Sequence, residues 1–200
     1  MMARRVGSGW IARAVAAALV LALHGADMHA KSTGKPRRRV VDAVIVHSLG
    51  GPDCRQGTPF FRRIDGDART WIATFARLPI VSIHYVVGRD GRVEAGIPES
   101  MAASHAVGWN QRSIGVELVN NGDGADPFPA PQVAALVQLV GEIRTRHPAV
   151  TAARVLRHSD VDRSTFPAAR YGEGCTAFRR KLDPGDAFPW TAFQAALAPG

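Results

Sequence analysis

The sequence predicts a single-domain α/β fold in which a central mixed β-sheet is flanked by helices. Short runs of apolar, β-branched residues alternate along the chain with longer segments of helical periodicity. One pair of strands is joined by a tight turn and must be antiparallel, whereas the other connections are long enough for parallel crossovers. The 200 residues, 46% of them hydrophobic, suffice for one packed core and exclude a disordered or collagen-like chain.

The first half of the chain contains a strand, a helix and a hairpin. Residues 40–46 (VVDAVIV) predict a strand buried on both faces, and residues 48–59 predict a loop. Residues 67–78 predict a short amphipathic helix, which Pro79 ends. Residues 80–96 predict the antiparallel hairpin, with its turn at GRDG.

The second half adds two strands and two helices. Residues 113–120 predict a strand, which a loop rich in Gly, Asp and Pro ends. Residues 131–146 predict a helix with one apolar stripe facing the core. Residues 153–160 predict a short strand with His158 at its end, and residues 188–197 predict a last helix.

Residues 1–30 have the organisation of a signal peptide. Basic residues come first, ten apolar residues (AVAAALVLAL) follow, and small and polar residues end the segment. Ten apolar residues are too few to span a bilayer comfortably, so we expect no stable membrane span after cleavage. An uncleaved anchor is the alternative, because the cleavage site departs from the A-x-A pattern. We expect residues 31–39 to form a basic, flexible tether and residues 40–200 to form the folded domain.

The formal charge of +8 is concentrated near the N-terminus. Residues 1–39 hold eight of the 25 basic residues and one of the 17 acidic residues. The rest of the chain is nearly neutral, which argues against a nucleic-acid partner in spite of the overall charge.

The chain has two cysteines, Cys54 and Cys175. In an exported protein such a pair can form one disulfide, but two unpaired thiols fit the sequence equally well.

Two histidines lie where a buried strand gives way to a loop. His47 follows the first predicted strand and His158 ends a later one, which are positions that suit metal ligands on a rigid scaffold. Asp183 is the best candidate for a third ligand, since two histidines and a carboxylate can hold zinc with a fourth position for water. The alternative for each histidine is a structural or surface role.

Five segments, taken in order, carry a resemblance to a known family. They are AVIVHS at 43–48, SIHYVVGRDGRVEAG at 82–96, SHAVGWNQRSIGVELVN at 104–120, RHSD at 157–160 and KLDPGDAFPW at 181–190. Together they resemble the zinc-dependent N-acetylmuramoyl-L-alanine amidases, which include phage lysozyme-type amidases and peptidoglycan recognition proteins. The resemblance covers about residues 40–192 and identifies 40–200 as an amidase catalytic domain.

The resemblance implies a role for each site residue. His47, His158 and Asp183 would bind Zn²⁺, with Asp183 in the family's Lys-x-Asp-Pro-Gly pattern. Glu117 would activate the water, and Lys181 would face the developing oxyanion. These residue types suit amide hydrolysis, because zinc acidifies water and polarises a carbonyl while a carboxylate moves the proton.

Other polar residues have less defined roles. His105 matches a family histidine near the substrate cleft, which implies substrate contact, although a loop or capping role is an equal alternative. His84 alternates with apolar neighbours on a predicted strand, so we expect it to pack in the structure. Asp160 could orient a ligand imidazole or serve as a helix cap.

A long insert separates His158 from Asp183. Residues 161–180 exceed the usual family connection, so Asp160, Asp162 or Cys175 could compete for the third ligand position. Asp183 remains preferred, because only it has the neighbouring Lys and Pro-Gly. We expect the insert, with Phe166, Tyr171 and several arginines, to form one wall of the cleft.

These observations predict an enzyme that cuts the amide between the muramic acid lactyl group and L-alanine. Peptidoglycan or muropeptides would be its substrate, and it would act as an exported, periplasmic monomer. The alternative is a binding module of the same fold, which recognises peptidoglycan without cutting it. The presence of every candidate ligand and of Glu117 argues against that alternative.

Overall fold

A computed structural model describes residues 34–198 of the chain. Within this range the strands are β1 (Lys35–Pro36), β2 (Ala43–Ser48), β3 (Pro52–Arg55), β4 (Thr58–Phe61), β5 (Tyr85–Val87), β6 (Val93–Ala95), β7 (Met101–Ala102), β8 (Ser113–Leu118) and β9 (Val155–Arg157). The helices are α1 (Ala68–Phe75), α2 (Ala130–Arg146), α3 (His158–Val161), α4 (Ala168–Tyr171) and α5 (Trp190–Leu197). Single 3₁₀ turns occupy Ala152–Arg154 and Glu173–Cys175.

A five-stranded mixed sheet in the order β6-β5-β8-β2-β9 forms the centre of the domain. Strands β5, β8, β2 and β9 are parallel, and β6 is antiparallel to β5, as the hairpin requires. The prediction of an α/β domain with a central mixed sheet is therefore confirmed.

Helices cover both faces of this sheet. On one face α2 and α5 pack against alternate residues of β2 and β8, including Val44, Val46 and Val116. On the other face α1 packs through Ile72 against Ile83 of the segment before β5. Because side chains alternate along a strand, Ile45 and His47 of β2 point to the other face, the α1 side of the sheet.

The predicted elements are present, most of them with shorter bounds. Strand β2 begins at Ala43 rather than at residue 40, because Val40 is 75% exposed. Strand β5 begins only at Tyr85, since Ile80 and Val81 lie on the surface and do not join the sheet. Helix α1 begins after Asp67, whose carboxylate accepts a hydrogen bond from the Thr70 backbone N–H.

The loop expected over residues 48–59 contains part of a second hairpin instead. Strands β3 and β4 pair antiparallel around a turn at Gln56 and Gly57, both of which have positive φ. Such a two-residue turn matches the twist of the strands it joins. The prediction of a loop was wrong here, because a glycine-rich segment with Pro52 and Pro59 resembles a loop in sequence.

Part of the expected tether is packed against the domain. Strand β1 pairs with β7, and the Arg37 guanidinium donates to the carbonyl oxygens of Glu99, Asn110 and Ser113. The expectation of a flexible tether therefore fails for residues 35–37, because Arg37 finds three backbone acceptors on the domain.

Cys54 and Cys175 form a disulfide. This bond ties β3 to the insert before Asp183, and a small cluster of Phe166, Tyr171 and the two cysteines surrounds it. The structure thus selects the disulfide over free thiols.

The expected signal peptide lies outside the described residues. Over residues 34–198, no helix combines the length and the apolar character that a membrane crossing needs.

Candidate active site

The site lies at the carboxyl ends of three neighbouring parallel strands. In the register of β2 and β8, His47 is directly opposite Glu117. On the other side of β2, Arg157 of β9 pairs with Val46, so that His158 follows at the level of His47. Since the carboxyl ends of parallel strands meet at one edge, local strand geometry alone brings these three residues together.

Three donor atoms converge at this edge. His47 Nδ1 lies 2.9 Å from His158 Nδ1, and Asp183 Oδ2 lies 3.1 Å and 2.8 Å from these two nitrogens. All three residues are buried. The Asp183 loop is held in place because its backbone oxygen accepts a hydrogen bond from the Ser159 N–H.

These donors fit a divalent cation such as zinc. The two Nδ1 atoms face each other closely, and a shared cation would satisfy both lone pairs together with the carboxylate. Although burial acts in the opposite direction, the polar contacts with the His158 and His47 rings hold the pKa of Asp183 well below its usual range. Burial lowers the pKa of His47 to about 4, so its ring is neutral at neutral pH, as a metal ligand must be.

Glu117 supplies a carboxylate beside the donors. Its Oε2 atom is buried without a hydrogen-bond partner in the described part of the chain. Burial, with the Asp183 carboxylate adding to it, raises the pKa of Glu117 to about 8, while the charge of Lys181 acts against this rise. A cation at the neighbouring centre would lower this pKa again and favour the ionised form.

The donors, Glu117 and Lys181 line one cleft of about 730 Å³. Its walls differ in character. Ile80, Val81 and Val107 form an exposed apolar side. Arg62 and Arg180 line the cleft among polar residues that also include Asp53 and Asp162.

His105 lies against His47 and has two ring partners. Its Nδ1 is 3.0 Å from His47 Nε2, and its Nε2 is 3.2 Å from Ser113 Oγ. The residue also lines the cleft, so substrate contact stays a prediction. The sequence analysis did not predict Ser113 as a partner of His105. The alternation of Ser113, Gly115 and Glu117 along β8 places these residues on the site face and is the pattern that indicates it.

The other histidine and acidic candidates have structural roles. His84 is fully buried, and its Nδ1 accepts a hydrogen bond from the Gly115 N–H, which agrees with the expected packing role. Asp160 accepts a hydrogen bond from the Arg157 N–H at the start of α3. Cys175 is in the disulfide. Within residues 34–198, the group of donors close enough to share a cation is His47, His158 and Asp183.

The insert contributes to the cleft through its ends. Asp162 and Arg180 line the cleft, whereas Phe166 and Tyr171 pack around the disulfide, with their rings 5.0 Å apart. The insert therefore forms part of the cleft wall, as expected. Its two aromatic residues pack around the disulfide and do not line the cleft.

An α/β domain with a buried N₂O donor set, a partnerless carboxylate and a lysine in one cleft has the composition of a zinc hydrolase site. Comparisons with known proteins assign the chain to a particular family. The sequence model of the N-acetylmuramoyl-L-alanine amidase family (Amidase_2) matches residues 36–186. The chain belongs to this family, which confirms the resemblance.

Relatives of known name agree with this assignment. The 1,6-anhydro-N-acetylmuramyl-L-alanine amidase AmpD of Enterobacter cloacae is 30% identical over 176 residues, which cover 82% of this chain and 84% of that protein. The endolysin of enterobacteria phage T3 is 34% identical over 140 residues, covering 70% and 87%. A crystal structure of a selenomethionine AmpD derivative has the same fold, with a TM-score of 0.57, 24% identity, and coverage of 84% of this chain and 91% of that one.

Proposed function

We propose that the protein is a zinc-dependent hydrolase that cleaves the amide bond between N-acetylmuramic acid and L-alanine in peptidoglycan or its muropeptide fragments. The convergence of His47 Nδ1, His158 Nδ1 and Asp183 Oδ2 beside the partnerless Glu117 carboxylate carries this proposal. These three donors would hold the zinc. When bound, zinc supplies Lewis acidity, which polarises a carbonyl and acidifies water.

Glu117 moves the proton in this scheme. In its ionised form the carboxylate takes a proton from the attacking water, whose oxygen forms a bond to the amide carbon. As the C–N bond breaks, the same carboxyl returns the proton to the departing nitrogen of L-alanine. A carboxylate that has no internal hydrogen bond at Oε2 is free to accept this proton.

Lys181 stabilises the negative charge that develops on the carbonyl oxygen. It lines the cleft with the donors and is the only lysine between residues 40 and 200. The loss of one such donor typically costs about 3 kcal/mol of transition-state stabilisation.

Mass spectrometry of muropeptide digests tests the proposal. We expect the zinc-loaded full chain to release intact stem peptide with a free L-alanine amine, from soluble anhydro-muropeptides, polymeric wall or both. We expect Glu117→Gln to lose at least 100-fold in kcat and His158→Ala to lose zinc as well. Glu142→Gln, an exposed change on α2, is the matched control and should behave as the parent protein does.

Two other outcomes of this experiment would contradict the proposal. If the zinc-loaded parent protein binds these fragments and releases no peptide, the enzyme proposal fails and the chain is a recognition module of the same fold. If it binds zinc and cuts a different bond, the substrate assignment fails while the metal site stands.

We further propose that residues 1–30 direct export and that the protein acts as a periplasmic monomer. The basic start and the ten-residue apolar run of the N-terminus support export. Cell fractionation with N-terminal sequencing of the recovered protein, followed by light scattering, tests it. Recovery of the uncut chain from the cytoplasm would overturn the proposal of export.

A further inference from the structure

A chain of hydrogen bonds runs from the candidate metal centre to the protein backbone. His47 turns its Nδ1 to the donor cluster and its Nε2 to Nδ1 of His105, at 3.0 Å. The far nitrogen of His105, Nε2, lies 3.2 Å from Ser113 Oγ. Ser113 Oγ in turn donates to the Trp109 carbonyl oxygen at 2.9 Å. Both rings therefore have a partner for each nitrogen.

The position of His105 is fixed by its neighbours. The Asn110 side-chain oxygen accepts hydrogen bonds from the backbone N–H groups of His105 and Ala106, at 3.0 and 2.8 Å. The ring lies over Gly115 of β8, where a Cβ atom would be only 2.6 Å from the imidazole. Ser113 is fully buried two residues earlier on the same strand. His105 is thus held in one place between His47 and Ser113.

Counting protons leaves two arrangements for this chain when both rings are neutral. A neutral imidazole carries one N–H, and each contact between ring nitrogens needs one proton. In the first arrangement His47 carries its proton on Nε2, His105 carries its proton on Nε2, and the Ser113 hydroxyl donates to Trp109. In the second arrangement both rings carry the proton on Nδ1, and the Ser113 hydroxyl donates to His105.

Only the first arrangement leaves a lone pair on His47 Nδ1. In the second arrangement Nδ1–H points at Asp183 Oδ2, 3.1 Å away, and cannot bind a cation. The Trp109 carbonyl favours the first arrangement, because it accepts the Ser113 proton at 2.9 Å. Partners that fix the tautomer of a metal-ligating histidine also orient its ring.

We propose that His105 and Ser113 are positioning residues that hold His47 in the Nε2–H tautomer and so direct its Nδ1 to the metal. This inference rests on the proposed zinc site and adds a function for His105 besides contact with substrate. Zinc binding would then select one direction of the hydrogen-bond chain. A change from the second arrangement to the first moves protons along this row of hydrogen bonds. It releases no proton from the His47 and His105 rings.

Zinc affinity of the full chain, measured by chelator competition, tests the proposal. We expect His105→Leu, which removes both hydrogen bonds, to weaken zinc binding about 10- to 100-fold. His105→Gln should recover most of this loss, since its amide can accept from His47 and donate to Ser113. Ser113→Ala should weaken binding several-fold. Thr145→Ala is the control, because the Thr145 hydroxyl donates a hydrogen bond to the Gly141 carbonyl oxygen on α2 and has no contact with His105 or Ser113 in the described residues.

Nitrogen NMR of ¹⁵N-histidine-labelled protein provides a readout that does not depend on activity. We expect His47 and His105 both to be Nε2–H tautomers in the zinc-loaded protein. An Nδ1–H tautomer of His105 in that state would overturn the proposal. So would unchanged zinc affinity in His105→Leu, provided that thermal unfolding of the metal-free variant confirms that it is folded.

The two proposals fail in different ways. If the parent protein binds no zinc, the proposed function loses its metal site. If the parent protein binds zinc and cuts its substrate while His105→Leu binds zinc equally well, only the positioning role is wrong.

Discussion

The candidate site depends on a glycine as much as on its charged residues. Gly115 lies between Ser113 and Glu117 on β8, on the face that the His105 ring covers. A Cβ atom here would be 2.6 Å from Cγ and Nδ1 of His105 and 2.6 Å from Cδ1 of Ile83. The absence of a side chain therefore gives the imidazole the space it needs to reach His47.

We expect Gly115→Ala to destabilise the metal-free protein by about 1–3 kcal/mol, because overpacking forces the neighbouring side chains to move. The displaced His105 ring should also weaken zinc binding. Urea unfolding and chelator competition measure the two effects.

Gly141→Ala is the matched control for this change. Gly141 is in α2, and nothing lies within 4 Å of a Cβ built there. Since alanine is the better helix former, this variant should gain about 0.5–1 kcal/mol and bind zinc as the parent protein does. Equal stabilities for the two variants would contradict the close packing at Gly115.

The sequence and the family resemblance predict the site residues, but they do not reveal the distant contacts that arrange them. His47 and His158 could be found because β-branched runs mark the buried strands that carry them, whereas Glu117 was implied by the family resemblance. The partners of His105 could not be found. The His47 contact joins residues 58 positions apart, and no local pattern encodes it.

Among the elements, the strands of the central sheet were predicted and the hairpin of β3 and β4 was not. The central strands β2 and β8 are buried along nearly their whole length and rich in apolar residues, and they therefore stand out. The hairpin is short, most of its residues are half-buried or exposed, and Cys54 links it to the insert. Its stability comes from a partner 121 residues away, which a local sequence pattern does not contain.

We expect the double variant Cys54→Ser, Cys175→Ser to lose about 2–5 kcal/mol of unfolding free energy, because a bond that closes so long a loop restricts the unfolded chain. The same variant loosens Asp53 and Arg180, which line the cleft from the two linked segments. Since Glu117 and the zinc donors lie on other elements, KM should rise more than kcat falls. Urea unfolding and steady-state kinetics on a muropeptide measure both effects.

Reduced parent protein is the control for this variant and should reproduce its behaviour. A fall in kcat at constant KM would contradict the assignment of these segments to the cleft wall. Zinc affinity should be unchanged in either case.

Across the whole molecule, Glu99 connects parts that are far apart in sequence. Its carboxylate accepts hydrogen bonds from the Tyr85 hydroxyl at 2.7 Å, from Arg146 at 2.8 Å and from His147 at 2.7 Å. Its backbone oxygen accepts from Arg37 at 2.6 Å. The sheet and the end of α2 are therefore joined at the Glu99 carboxylate, and the N-terminal segment is joined to the same residue at its backbone oxygen.

The protonation of Glu99 should make stability depend on pH. Although burial acts in the opposite direction, hydrogen bonds from Arg146, Tyr85 and His147 lower the pKa of Glu99 to about 2, from an ordinary value of 4.5. A group whose pKa is lower in the folded state binds more protons when unfolded, so it stabilises the fold above its ordinary pKa. This contribution should be complete above pH 4.5 and disappear as the pH falls towards 2.

We expect Glu99→Gln to be less stable than the parent protein at pH 7, and the difference to shrink steadily between pH 4.5 and pH 2. Urea unfolding of both metal-free proteins across this range measures it, and subtraction cancels the carboxylates that the two proteins share. Glu173→Gln, an exposed change on the insert, is the control and should give only a small difference. If the Glu99→Gln difference were constant from pH 7 to pH 2, the carboxylate charge would not be what joins Tyr85 of the sheet to the end of α2.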